Sequence, residues 1–312
     1  MLDDKPLFEK PAKSFYTPWG LAFVLVFLFL FQIIFYFLAV YTGGLIYDLG
    51  FHGALNLLNE PDGTSKAINL ARYTNVVSFT GYMFLPVLLF TIINKTSLSV
   101  EGGLKIPMRR PLFFLSILIL ALTIPLVDYV TGSLQNLDLP QSLKYWANRF
   151  EQSREEQFNT LLEMHQPSEL IFCILTIGLL PAVLEEFMFR GVIMNIFLKI
   201  LRNKNTAIFL QAIVFSVLHF SFYQLPGILF MGILFGFVAQ KTGTILYGII
   251  MHFLFNTTTI VLYYLNFMEF DKSGVFGKYQ SLPLNIFTAI ACFFGIVIFL
   301  RLFNRVIRNS HE

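Results

Sequence analysis

Residues 169–197 read ELIFCILTIGLLPAVLEEFMFRGVIMNIF. Such a run can cross a bilayer, because about 20 apolar residues at about 1.5 Å each span about 30 Å of hydrocarbon. Yet its centre reads Leu184-Glu185-Glu186-Phe187-Met188-Phe189-Arg190-Gly191. A charge at mid-span costs roughly 2.5–3.5 kcal/mol by insertion scales, so three facing lipid would cost on the order of 8–10 kcal/mol. Glu185, Glu186 and Arg190 must therefore face protein or water, which requires neighbouring helices.

The rest of the chain supplies them. Of 312 residues, 56% are hydrophobic and 13% charged, against about 45–50% and 25% in soluble domains. Thirty-seven Phe exclude intrinsic disorder. Cys173 and Cys292 lie in apolar runs, which argues against a disulfide framework or a cysteine-based zinc site. A net charge of +3 is too weak to suggest nucleic acid. The expected fold is an all-α bundle in one membrane domain, 1–312, with eight spans near 19–41, 73–94, 111–132, 169–197, 205–222, 226–240, 244–265 and 284–303. The first is too long for a removed signal peptide.

Charge sets the expected orientation. With the N-terminus cytoplasmic, the inner segments hold Lys5, Lys10, Lys13, Lys95, Lys105, Arg109, Arg110, Lys199, Arg202, Lys204, Lys241, Arg301, Arg305 and Arg308. The outer ones hold fewer: Lys66, Arg72, Lys144, Arg149, Arg154, Lys272 and Lys278. This bias fits both termini inside, in a multi-pass protein of the cell membrane. Segment 133–168 is expected outside, with an amphipathic helix lying in the interface: Leu143, Trp146, Ala147 and Phe150 are spaced as one helical face.

Three spans bring polar groups to similar depth. Counted from their cytoplasmic ends, Glu185, His219 and Asn256 lie roughly 22, 21 and 18 Å deep, and His252 about 12 Å. Glu186 and Arg190, at i and i+4, share a face and can pair. Glu185 points about 100° away and is free for chemistry. A carboxylate and imidazoles in a low-dielectric pocket suit proton transfer. Glu185, with His219, could take a proton from water as that water attacks a carbonyl, while His252 and the Asn256 amide stabilise the oxyanion. Phe215 reads as packing, and Gly232 with Gly236 as a close helix contact.

At these residues the sequence resembles the CAAX prenyl protease type II (CPBP or Abi) family of membrane proteases. That family's three motifs are Glu-Glu-x-x-x-Arg, Phe-x-x-x-His and His-x-x-x-Asn. They occur in order as Glu185-Glu186 to Arg190, Phe215 to His219, and His252 to Asn256, within a core near 165–265. The resemblance implies an eight-helix intramembrane endopeptidase. It would cut a membrane-associated peptide or protein, with Glu185 and His219 activating water and His252 and Asn256 holding the oxyanion. One divalent metal is a further expectation, a zinc ion on Glu185, His219 and His252; the alternative is glutamate chemistry without a metal. Two other readings stay open: a transporter or channel using the buried Glu, Arg and His groups, and a catalytically inactive scaffold. Oligomeric state is not legible.

Overall fold

The computed structural model describes residues 15–273 and 286–309. The helices are α1 (Pro18–Ile46), α2 (Gly50–Asn59), α3 (Ser65–Ile93), α4 (Leu98–Glu101), α5 (Arg110–Gln135) and α6 (Gln141–Leu162). There follow α7 (Pro167–Leu201), α8 (Lys204–Val217), α9 (Leu225–Thr242), α10 (Leu246–Ser273) and α11 (Ile286–Arg308). No strand occurs among the described residues. Lys5, Lys10, Lys13 and Lys278 of the charge count lie outside them, as does the start of the eighth expected span.

Local sequence starts the helices where the apolar runs begin. Thr17 caps α1 by accepting from the Gly20 amide, with Pro18 at the first helical position, and Thr64 caps α3 by accepting from Ala67. Asn203 caps α8 by accepting from Thr206. A capping box of Gln166 and Glu169 opens α7. Each cap satisfies an amide that the first turn leaves without a partner.

Among the described residues, seven helices are long and apolar enough to cross a membrane: α1, α3, α5, α7, α9, α10 and α11. The protein is a multi-pass membrane protein. Its outward faces agree, with Trp19, Ile33, Phe114 and Phe287 all more than half exposed. Burial of such side chains in lipid removes the cost they would have in water.

The fifth expected span, 205–222, is corrected. Helix α8 stops at Val217 after 14 residues, about 21 Å, which is short of a bilayer. Its last turn tightens: the His219 amide bonds Ser216 O at 3.2 Å and the Phe220 amide bonds Val217 O at 3.2 Å. The Phe215 carbonyl, left over by that tightening, accepts instead from the His219 ring Nδ1 at 2.7 Å. Phe220 then turns the chain with φ at +49°. His219 therefore sits in the turn joining α8 to α9, not within a helix.

Helices pair closely where glycine removes bulk. In α9, a Cβ at Gly232 would lie 2.9 Å from the Ala212 Cβ, and one at Gly236 2.7 Å from Gln211 Nε2. Those two glycines thus seat α9 on α8. Around Phe90, Met188, Phe189 and Val192, α1, α3 and α7 form one apolar core. Around Ile119, Phe235, Met251 and Phe303, α5, α9, α10 and α11 form a second. Helix α7 runs through the middle, against α1, α3, α8, α9 and α10.

The expected face on α6 is split. Leu143, Trp146 and Phe150 are exposed, but Ala147 is buried. The inward side of α6 holds the carboxylate Glu151 beside the apolar Ala147 and Leu162. Arg72, counted with the outer segments, is buried in α3. Its guanidinium donates to the Leu161 and Glu163 carbonyls at 3.1 and 2.7 Å and to the Glu169 carboxylate at 3.1 Å, clamping the corner between α6 and α7.

Candidate active site

Helix α7 is not uniformly α-helical. Ile174–Leu179 and Glu186–Ile193 are π-helical turns, and Glu185 and Glu186 sit where α gives way to π. A π-turn widens the helix and frees carbonyls, and such turns concentrate at functional sites. Side-chain amides take up those carbonyls. Asn195 Nδ2 donates to Gly191 O at 2.5 Å, and Asn256 Nδ2 approaches Gly178 O at 3.4 Å.

The i, i+4 pair is present: Arg190 Nη1 donates to Glu186 Oε1 at 2.7 Å, with both side chains fully buried. The guanidinium also stacks over Phe215 at 4.5 Å and Phe235 at 5.3 Å, and it reaches Gly232 O at 3.4 Å. A buried ion pair is tolerable only with such compensating contacts.

Glu185 has a different setting. Its Oε2 lies 3.9 Å from His219 Nε2 and 3.8 Å from His252 Nε2. It is buried without a hydrogen-bond partner. Both spacings are too long for a direct hydrogen bond. A water about 2.8–3.0 Å from both atoms of either pair would bridge them at roughly 80–90°.

Each imidazole is held from behind. His219 Nδ1 faces the Phe215 carbonyl, which can only accept, so the ring carries its proton there and offers Nε2 to Glu185. His252 Nδ1 lies 3.4 Å from Glu186 Oε1, close but not aligned as a hydrogen bond, for Nδ1 remains without one. His252 thus stands between the two carboxylates. Phe215 packs against His219 at 4.5 Å and His252 at 6.2 Å between ring centres, and Phe235 lies 5.6 Å from His252.

Exposure across the cluster is uneven. The His219 side chain is 32% exposed, against 9% for Glu185 and 8% for His252. Val217 and Phe220, beside His219 in the chain, are exposed apolar residues.

The structure therefore gathers Glu185, His219 and His252, with Glu186, Arg190 and Phe215 behind them. Asn256 is one turn from His252, and its described contact is to Gly178 rather than to the carboxylates. Two further residues shape the cluster without a signal in the sequence. A Cβ at Gly248 would lie 2.6 Å from Glu186 Oε2, so only glycine lets α10 come this close. Gln211, fully buried, donates to Gly232 O at 2.8 Å beside Arg190.

A zinc ion with bonds of about 2.0–2.2 Å would set tetrahedral donors roughly 3.3–3.6 Å apart. The two Glu185–imidazole spacings are wider, and among the described residues no group of three or more His, Cys, Asp or Glu is arranged to hold a metal. The side chains as placed do not fit that ion, and no chemical step below passes through one.

Fold and site together define a multi-pass helical membrane protein with a carboxylate–imidazole centre buried among its helices. Residues 167–258, from α7 into α10, match the family model for type II CAAX prenyl endopeptidase, Rce1-like. All the site residues above fall inside it. No curated protein and no solved structure matches the chain. The matched family is one of endopeptidases.

Proposed function

We propose that the protein is an intramembrane endopeptidase in which Glu185 activates water for attack on a peptide carbonyl. The observation that carries this reading is the lone Glu185 Oε2 between two imidazole Nε2 atoms, one of them on the part-exposed His219. Water at that spot gives one proton to Glu185 and one hydrogen bond to the basic Nε2 of His219. Its oxygen bonds to the carbonyl carbon, and the carbonyl oxygen becomes an oxyanion. His252 presents an N–H at Nε2 to that oxyanion. The Asn256 amide joins it by leaving Gly178 O. Collapse breaks the C–N bond, and Glu185 returns its proton to the leaving amine.

Glu186 and Arg190 do not exchange protons in this scheme. Their pairing neutralises two charges and fixes the back of His252. The exposed apolar Val217 and Phe220 suit a substrate that arrives through lipid, and the family match makes a prenylated C-terminal peptide the first candidate.

The test uses full-length protein in proteoliposomes and a quenched-fluorescent farnesylated CAAX peptide. Glu185→Gln should lower turnover by about 10²–10⁴-fold, the usual weight of a general base. Prior incubation with a chelator should leave wild-type turnover intact. Turnover lost to chelation and restored by zinc would assign Glu185, His219 and His252 to a metal instead. A Glu185→Gln protein that cleaves as wild type does, or Glu185-dependent solute flux without cleavage, would refute the protease reading.

A further inference from the structure

Helix α6 reaches the catalytic turn from outside the spanning helices. The Ser221 hydroxyl donates to Glu151 Oε2 at 2.9 Å, with Oε1 at 3.2 Å, and accepts from the Gln224 amide at 3.3 Å. The Tyr223 hydroxyl donates to Asn148 Oδ1 at 2.8 Å. Glu151, Ser221 and Tyr223 are all buried. These contacts place the Glu151 carboxylate on the inward side of α6, while Leu143, Trp146 and Phe150 face out. Arg154 pairs with Glu151, so the carboxylate is not left uncompensated.

Between Ser221 and His219 stands Phe220, a bulky exposed residue with φ at +49°. A non-glycine side chain rarely adopts that backbone, and it persists only where the surroundings over-determine it. On one side the turn is fixed by His219 Nδ1 on Phe215 O. On the other it is fixed by Ser221 on α6.

We propose that Glu151, acting through Ser221, is a positioning residue that holds the His219 imidazole against Glu185. The inference rests on the reading of His219 given above. Glu151 touches no reacting atom. It pins the strained turn whose other end aims Nε2 into the site.

The experiment uses full-length protein in lipid nanodiscs. Amide exchange is followed across 217–225, with turnover of the farnesylated CAAX peptide measured in parallel. Removing one net hydrogen bond should raise opening of this turn about fivefold in Ser221→Ala. Exchange elsewhere should be unchanged, and kcat should fall with KM held within about twofold. Ser221→Thr, which keeps the hydroxyl, should restore both, and Glu151→Gln should repeat the alanine effect more weakly. Unchanged exchange across 217–225 in Ser221→Ala would overturn the proposal, and so would a Ser221→Thr protein as impaired as Ser221→Ala. Failure of the protease reading shows separately, as a Glu185→Gln protein with wild-type turnover or a wild type that leaves the peptide uncut. The exchange measurement still decides the latch in that case.

Discussion

Replacing Gly248 with alanine adds one methyl group at the contact between α10 and Glu186. The new Cβ would stand 2.6 Å from Glu186 Oε2 and 3.1 Å from its Cδ, where ordinary contact begins at 3.4 Å. Relief takes roughly 0.8 Å of movement. Glu186 cannot supply it cheaply, because its other oxygen is held by Arg190 in a fully buried pair. The shift then falls on α10. His252, four residues on, shares the face of Gly248 and moves with it. Overpacking of this kind costs about 1–3 kcal/mol, while alanine in a helix returns about 1 kcal/mol. The net loss of stability should be only about 0–2 kcal/mol. A catalytic group displaced by nearly 1 Å can cost about 10²-fold in rate. Turnover of the farnesylated peptide should therefore drop far more than unfolding in SDS titration indicates. Gly295→Ala is the control: its Cβ meets only the Leu122 side chain, which can turn away, on α5 far along the chain from the motifs. Wild-type turnover in a folded Gly248→Ala protein would refute the argument that this glycine sets the place of His252.

Two more expectations follow from charge. Arg190→Met strands the buried Glu186 carboxylate and should cost about 3–5 kcal/mol, whereas Arg190→Met with Glu186→Gln should recover much of it; SDS unfolding of the three proteins measures the difference. Tyr16 donates a hydrogen bond to Glu101, and burial first, then that carboxylate, pushes its phenol above the usual range. A raised value means the bond contributes fully below the unfolded tyrosine pKa of about 10, and its contribution is lost as pH rises beyond that. Stability measured at pH 8 and pH 11 should fall less in Tyr16→Phe than in wild type, and an equal fall would count against the pairing.

How much of this was legible depended on distance along the chain. Glu186 and Arg190 are one turn apart, so spacing alone predicted a pair that the structure shows at 2.7 Å. The long apolar runs predicted eight membrane-spanning helices, and seven helices of that length occur among the described residues, although α1 runs on to Ile46 and α3 begins at Ser65, past the expected ends. Hydropathy fades at those termini while backbone hydrogen bonding continues, so the ends could not be read. The fifth span fell short for a specific reason. Residues 205–222 are apolar enough, but the His219 ring takes the Phe215 carbonyl and the chain turns at Phe220.

The sequence by itself determined a polytopic helical membrane protein and the polar groups set within its apolar runs, because both follow from local composition and helical spacing. The tertiary structure alone decided the π-turns of α7, the grip of Glu151 on Ser221, the place Gly248 makes for Glu186, and the meeting of His219 and His252 at one carboxylate oxygen. Those features depend on partners tens of residues away, and a carbonyl freed in one helix has no meaning until another helix supplies its donor.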